Sequence, residues 1–153
     1  MKAKANKVFT FGYFSSLENR KGQDKLIQAF KMVQSKRPDT ALFISARHAT
    51  TSLYENIMRF VAENKLNNVK VEIKNKDNKE HLADFQKIDA YVSPSRGEGF
   101  SIIPRKSLAL GIPTIVTDNT EQKTICNSRL VSCVESNIKI KANYESMPND
   151  DWG

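Results

Sequence analysis

Short apolar runs recur along this chain, each separated from the next by a segment patterned like an amphipathic helix. That alternation restricts the fold more than any other feature. Residues 8–12 form a β-rich run ending at Gly12, residues 41–44 an unbroken apolar run, and Val69–Ile73 an alternating one that reads as a half-exposed or edge-proximal strand. Further strands are expected at residues 90–92, 113–117 and 130–134. Between them, residues 23–35 place Leu26, Ile27, Phe30 and Val33 on one helical face, and residues 52–64 do the same with Leu53, Ile57, Phe60 and Val61. Leu82, Phe85 and Ile88 mark a shorter helix, and Ile103, Ser107 and Leu110 line another. Strands joined by helices about a dozen residues long predict right-handed βαβ units. The expected fold is α/β: a Rossmann-like, doubly wound parallel sheet of about six strands with helices on both faces.

Such a sheet binds ligands beyond the carboxyl ends of its strands, so the loops after Gly12, Ser45, Ile73, Ser93 and Thr117 are where chemistry is expected. With 153 residues the chain suffices for one domain with a real core. No run of about 18 apolar residues occurs, so no transmembrane helix is expected. The basic start leads into a strand-like run rather than an apolar signal core, and a cytoplasmic location is expected. Cys126 and Cys133 form no CxxC pair and lie far in sequence from His48 and His81, so two reduced thiols and no metal site are expected. The net charge of +7 favours anionic partners: phosphorylated ligands, an acidic membrane surface or nucleic acid. Its lysines are spread along the chain, with no RNA-recognition motif and no basic helix with interleaved aromatics, so no nucleic-acid partner is expected.

Two loops carry candidate chemistry. The first runs from Gly12 through Ser15 to Arg20, Lys21 and Gly22, leaving a strand and ending in two cations just before a helix. A lysine there reaches a diphosphate as a compact point charge, although an exposed basic turn reads equally well. Its spacing matches neither a P-loop nor a dinucleotide fingerprint. The second loop is Ser95-Arg96-Gly97-Glu98-Gly99-Phe100-Ser101-Ile102, between a buried strand and a helix. The Glu98 carboxylate can accept hydrogen bonds from sugar hydroxyls, and the amides of Phe100, Ser101 and Ile102 can face phosphate oxygens at the helix start. A third segment, residues 117–121, reads as a helix cap more readily than as a ligand wall.

These residues resemble a family. Arg20-Lys21-Gly22 with Leu26, Ile27, Ala29 and Phe30, then Pro94-Ser95, Glu98-Gly99-Phe100, Ala109, Gly111, Pro113 and Asp118 in order, are similar to the C-terminal domain of glycosyltransferases with two facing Rossmann-like domains, the GT-B fold. The group most resembled is family 4, the group 1 type, which retains anomeric configuration. The resemblance covers residues 7–134. It implies that this domain binds a UDP-, GDP- or ADP-linked sugar donor, that Lys21 holds the diphosphate, and that Glu98 orients the sugar, these two being the candidate catalytic residues. It implies a hexose transferred to a glycan or lipid-linked acceptor in polysaccharide biosynthesis, no metal or other cofactor, and an N-terminal acceptor-binding domain as partner.

Two positions depart from the family pattern. Eight residues after Glu98 the family has a second glutamate that accepts hydrogen bonds from ribose hydroxyls; here Lys106 offers donors only. The family's arginine after the first strand's glycine is absent, since Tyr13 follows Gly12, leaving Arg20 or Arg96 to supply that charge. Residues 1–134 are expected to be the nucleotide-sugar-binding domain and 135–153 a polar, weakly structured tail. The chain is expected to be an excised domain or a fragmentary gene product that binds donor weakly and transfers nothing alone, with a peripheral contact to the inner face of a membrane. The alternative is a non-catalytic module that keeps the fold.

Overall fold

The computed structural model describes residues 8–138. Six strands, β1 (Phe9–Phe14), β2 (Thr40–Ala46), β3 (Val69–Ile73), β4 (Ala90–Ser93), β5 (Thr114–Asp118) and β6 (Ser132–Glu135), form one sheet in the order β3-β2-β1-β4-β5-β6. Every pairing is parallel. The connecting helices are α1 (Gln23–Lys36), α2 (Thr51–Glu63), α3 (Asn78–Phe85), α4 (Ile102–Ala109) and α5 (Gln122–Asn127), and a single 3-10 turn (Asn19–Lys21) precedes α1. The chain winds one way from β1 to β3, then crosses back to β4 and winds the other way. Right-handed crossovers therefore put α1 and α2 on one face and α3, α4 and α5 on the other. The switch point of the sheet falls between β1 and β4.

Each face has its own core. Tyr13, Leu26, Ile27, Phe30, Leu42, Ile44 and Ile57 pack beneath α1 and α2. Phe14, Phe43, Phe85, Ile88 and Tyr91 pack beneath α3 and α4. Successive residues of a strand point to opposite faces, which is why Tyr13 and Phe14 belong to different cores. Both are buried, so β1 runs two residues beyond the expected end at Gly12. Gly12 sits inside the strand, where an added Cβ would lie 2.6 Å from Ile88 Cδ1; its smallness admits the chain leaving α3. β3 lies at the sheet edge; its exposure alternates over residues 69–71 and then breaks, with Ile73 exposed.

The loop between β3 and α3 is fixed by charge. Asp84 is fully buried and accepts from Ser45 Oγ at 2.8 Å, Lys76 Nζ at 2.6 Å and Lys87 Nζ at 2.7 Å. Burial opposes ionisation of Asp84, but these donors overcome it and hold the carboxyl below its ordinary range. Asp77 and Glu80 close a capping box at the start of α3.

The cysteines depart from expectation. Cys126 of α5 and Cys133 of β6 are joined by a disulfide, with Cα atoms 5.7 Å apart, rather than standing as free thiols. The reverse from α5 into the edge strand folds a separation of seven residues back on itself, a proximity that CxxC spacing does not test. The expected tail lies mostly outside the described residues, which end at 138, and its first residue, Glu135, completes β6.

Candidate functional site

The loops after β1 and β4 meet over the switch point. The β1 loop is drawn into the 3-10 turn, and Gly22 ends that turn in the left-handed region with φ 74°. Its conformation suits glycine, and the packing leaves no alternative: a Cβ would lie 1.9 Å from the Pro94 carbonyl oxygen. The turn thus sits directly on the β4 loop. Arg96 N–H donates to Arg20 O at 2.8 Å, and Ser95 Oγ donates to Arg20 O at 3.3 Å and Gly97 O at 3.0 Å.

This contact aligns the candidate charges. Lys21 Nζ donates to Glu98 Oε1 at 2.8 Å and to Oε2 at 2.9 Å. Arg20 Nη1 donates to Gly97 O and lies 3.5 Å from Glu98 Oε2. Lys21 and Arg20 thus stand against the Glu98 carboxylate and that of Glu18, the latter 3.6 Å from Arg20 Nη2, beside the start of α4. The first amides of α4 have no intrahelical acceptor, and Pro104 in the first turn has none to offer. Ser101 precedes α4 with φ 57°, and its Oγ is buried without a hydrogen-bond partner. A cavity of about 460 Å³ opens between Arg20, Gly97, Glu98, Gly99 and Thr120. At Gly99 an added Cβ would meet nothing within 4 Å, so that side is open to a ligand.

A larger groove, about 1420 Å³, borders the same loops but extends over the apolar side chains of Phe11, Phe30, Val92 and Ile115. Among the described residues, no helix covers β4–β6 on the α1 side. Arg20 and Glu98 line the smaller cavity beside Lys21, and the chemistry is assigned there.

The other sequence candidates divide. Arg96 turns away and makes a bidentate pair with Asp24, at 2.9 and 2.7 Å, so of the two arginines only Arg20 faces Glu98. Ser15 donates its main-chain N–H to Ser45 O, tying the β1 loop to β2. Phe100 and Ile102 are exposed, on either side of Ser101 at the start of α4. Lys106 is exposed on α4, and its charge acts on His81 of α3: burial first, then Lys106, lowers the His81 pKa. Gly12 packs within β1 and contributes no loop.

Residues 117–121 brace the site rather than cap α5, which has no side-chain cap bond. Thr117 Oγ1 and Asn119 Nδ2 both donate to Ser95 O, and Thr120 Oγ1 accepts from Glu98 N–H at 2.9 Å. Arg105 was no sequence candidate; it donates to Phe100 O and Glu121 Oε1 and lies 4.6 Å from the Phe100 ring centroid. An arginine in the first turn of a helix that begins at a ligand loop is the signal that marks it. Among the described residues, no cluster of His, Cys, Asp and Glu is arranged to hold a metal ion, and no helix is long and apolar enough to cross a membrane.

A parallel sheet in this order, with a lysine, an arginine and a glutamate meeting over its switch point, has the architecture of a GT-B glycosyltransferase domain. The chain belongs to the family of glycosyl transferases group 1, whose model matches residues 2–137. It is 29% identical over 154 residues to the capsular polysaccharide biosynthesis glycosyltransferase CapM of Staphylococcus aureus, covering 95% of this chain and 38% of CapM. The chain thus spans little more than a third of the length of the curated relatives it matches. The fold matches the C-terminal domain of a glycosyl transferase group 1 family protein, LpcC, from Francisella tularensis. There the TM-score is 0.67 at 17% identity, with 84% of this chain and 86% of that one covered. It also matches Anabaena Alr3699/HepE, whose structure is a complex with UDP and glucose, with a TM-score of 0.68 at 19% identity, covering 78% of this chain and 32% of that one.

Proposed function

We propose that this chain is the donor-binding domain of a retaining glycosyltransferase that moves a hexose from a nucleoside-diphosphate sugar to a glycan or lipid-linked acceptor. The observation that carries the reading is the convergence of Lys21, Arg20 and Glu98 at the switch point, where an open α/β sheet takes its ligand. Lys21 and Arg20 face the donor diphosphate, and Glu98 accepts hydrogen bonds from sugar hydroxyls. The main chain from Gly99 to Ile102, with Ser101 Oγ, receives phosphate oxygens at the start of α4. The complex of Alr3699/HepE with UDP and glucose supports this class of ligand.

In the transfer, the bond between the sugar's anomeric carbon and the diphosphate oxygen breaks with its electron pair leaving on the diphosphate, the acceptor hydroxyl oxygen bonds that carbon, and its proton passes to the departing diphosphate oxygen. Lys21, Arg20 and the α4 amides are preorganised for the negative charge that grows there, the kind of stabilisation that contributes most to such barriers. The reading calls on no metal. The acceptor approaches from a second, N-terminal domain of the same enzyme, docked at an acidic membrane surface that suits the +7 chain. The name of CapM supports a role in polysaccharide biosynthesis. Lys106 projects from α4 where the family has an acid, so it meets ribose oxygens as a donor.

Backbone amide NMR tests the binding claim. UDP, GDP or ADP, or one of their sugar conjugates, is expected to shift the amides of residues 15–22 and 95–102 at up to millimolar concentration. Spectra unmoved by all of them refute it.

A further inference from the structure

Lys21 and Glu98 are bound to each other. The ammonium contacts both carboxylate oxygens, Arg20 approaches the second, and both partners are largely withdrawn from water, with 17% and 13% of their side chains exposed. A carboxylate presented to an ammonium and a guanidinium offers the same two anionic oxygens that a phosphoryl group would offer. Glu98 therefore occupies the place an incoming diphosphate needs. Among the described contacts its carboxylate has no partners besides Lys21 and Arg20. Its main chain, in contrast, is held at both ends of the peptide unit: its N–H donates to Thr120 Oγ1, and its carbonyl accepts from Glu121 N–H. Gly97 and Gly99 flank it without crowding. The side chain can turn while the backbone stays.

We propose that Glu98 is an internal competitor for the diphosphate seat on Lys21, and that this competition makes the site select an intact nucleoside-diphosphate sugar over the bare nucleoside diphosphate. The inference rests on the donor-binding reading above. A bare diphosphate that takes Lys21 and draws Arg20 with it leaves a mostly buried carboxylate without donors, which is costly. An attached sugar removes that cost, because its hydroxyls donate to the displaced carboxylate. Once the sugar has been transferred, Glu98 returns to Lys21 and favours departure of the nucleoside diphosphate. Glu98 is thus a specificity and release residue as well as a sugar contact.

Calorimetric titration of the 153-residue chain with UDP, GDP and ADP, and with UDP-glucose, GDP-mannose and ADP-glucose, tests the proposal. Glu98→Gln is expected to bind the bare nucleoside diphosphate about tenfold tighter than wild type, or about 1.4 kcal/mol, and the sugar conjugate no tighter. Removing Lys21 as well, in Lys21→Met/Glu98→Gln against Lys21→Met, is expected to abolish the gain. Glu98→Ala repeats the comparison if the amide variant does not fold. A bare diphosphate bound no tighter by the Glu98 variants, or a gain that survives without Lys21, overturns the proposal while donor binding stands. If wild type and the Glu98 variants bind none of the six nucleotides, the donor-binding reading falls and takes this proposal with it.

Discussion

Replacing Gly22 by alanine puts a methyl group 1.9 Å from the Pro94 carbonyl oxygen and 2.8 Å from its carbon, both main-chain atoms with no flexible end to yield. Two costs add. Holding a non-glycine residue at φ 74° costs about 1–2 kcal/mol, and forcing packed backbone apart typically costs a further 1–3 kcal/mol or so. The expected loss is roughly 2–5 kcal/mol, a large part of the roughly 5–15 kcal/mol that holds a domain together. Gly111→Ala is the matched control. Its φ is 70°, but an added Cβ meets nothing within 4 Å, so only the conformational cost applies. The reduced freedom of the unfolded chain offsets about 0.4–1 kcal/mol in both variants and cancels between them. Urea unfolding followed by circular dichroism at 222 nm gives the difference directly. Gly22→Ala is expected to lose roughly 1–3 kcal/mol more than Gly111→Ala. Equal losses within about 0.5 kcal/mol, the additivity error of such data, would refute the claim that the 3-10 turn rests on the β4 loop.

Two other expectations concern charge and covalent bonding. Asp84→Asn removes the negative charge that Lys76 and Lys87 share, keeps a single acceptor oxygen, and leaves Lys76, 10% exposed, with Glu72 as its remaining carboxylate partner; a loss of roughly 3 kcal/mol is expected in urea unfolding at neutral pH. The pH dependence follows in sign. The folded pKa values of Asp84 and Glu72 lie below their unfolded values, that of Glu72 at about 2 through its hydrogen bonds from Lys70 and Lys76. Their contribution is complete above the unfolded carboxylate range near pH 4 or so and is lost as pH falls through the folded values. The wild-type curve of stability against pH is therefore expected to fall below about pH 4 more steeply than that of Asp84→Asn, and parallel curves would contradict the assignment. For the disulfide, native protein without reductant is expected to show no titratable thiol, and reduction to cost up to about 2.5 kcal/mol for a loop of this size. Two reactive thiols in the untreated native protein would rule the bond out.

The sequence pattern exposes the sheet because its strands are short apolar runs set between helical repeats, a signal carried locally. The half-exposed character of β3 is legible for the same reason over residues 69–71, where one strand face meets water, but not at Ile73, which is exposed. The cavity was half legible. Lys21 and Glu98 stand next to glycines at strand ends, and the fold brings them together. Which arginine joins them was not, because Arg20 and Arg96 both flank the site in sequence and are separated only by how the 3-10 turn points; Asp24, one turn into α1, takes Arg96. Gly12 looked like the start of a loop because glycine often ends a strand, yet here the demand for smallness comes from Ile88, 76 positions away by number. Thr117, Asn119 and Thr120 looked like a cap because small polar residues before a helix usually are one; their partners lie on the neighbouring β4 loop, a tertiary choice no local window contains.

Those same braces explain how the site can be both fixed and responsive. The main chain from Ser95 to Glu98 is bonded to three separate segments: the 3-10 turn through Arg20 O, the β5 end through Thr117 and Asn119, and the α5 approach through Thr120. Displacing any one carbonyl would break bonds to the others, so the peptide units are over-determined. Among the described residues, the Glu98 carboxylate is bound to Lys21 and Arg20 alone, and through their side chains. A ligand with anionic oxygens therefore meets a rigid frame in which one charge can exchange partners. On the donor-binding proposal, a nucleotide sugar would use both ends of that exchange, diphosphate on the cations and hydroxyls on the acid.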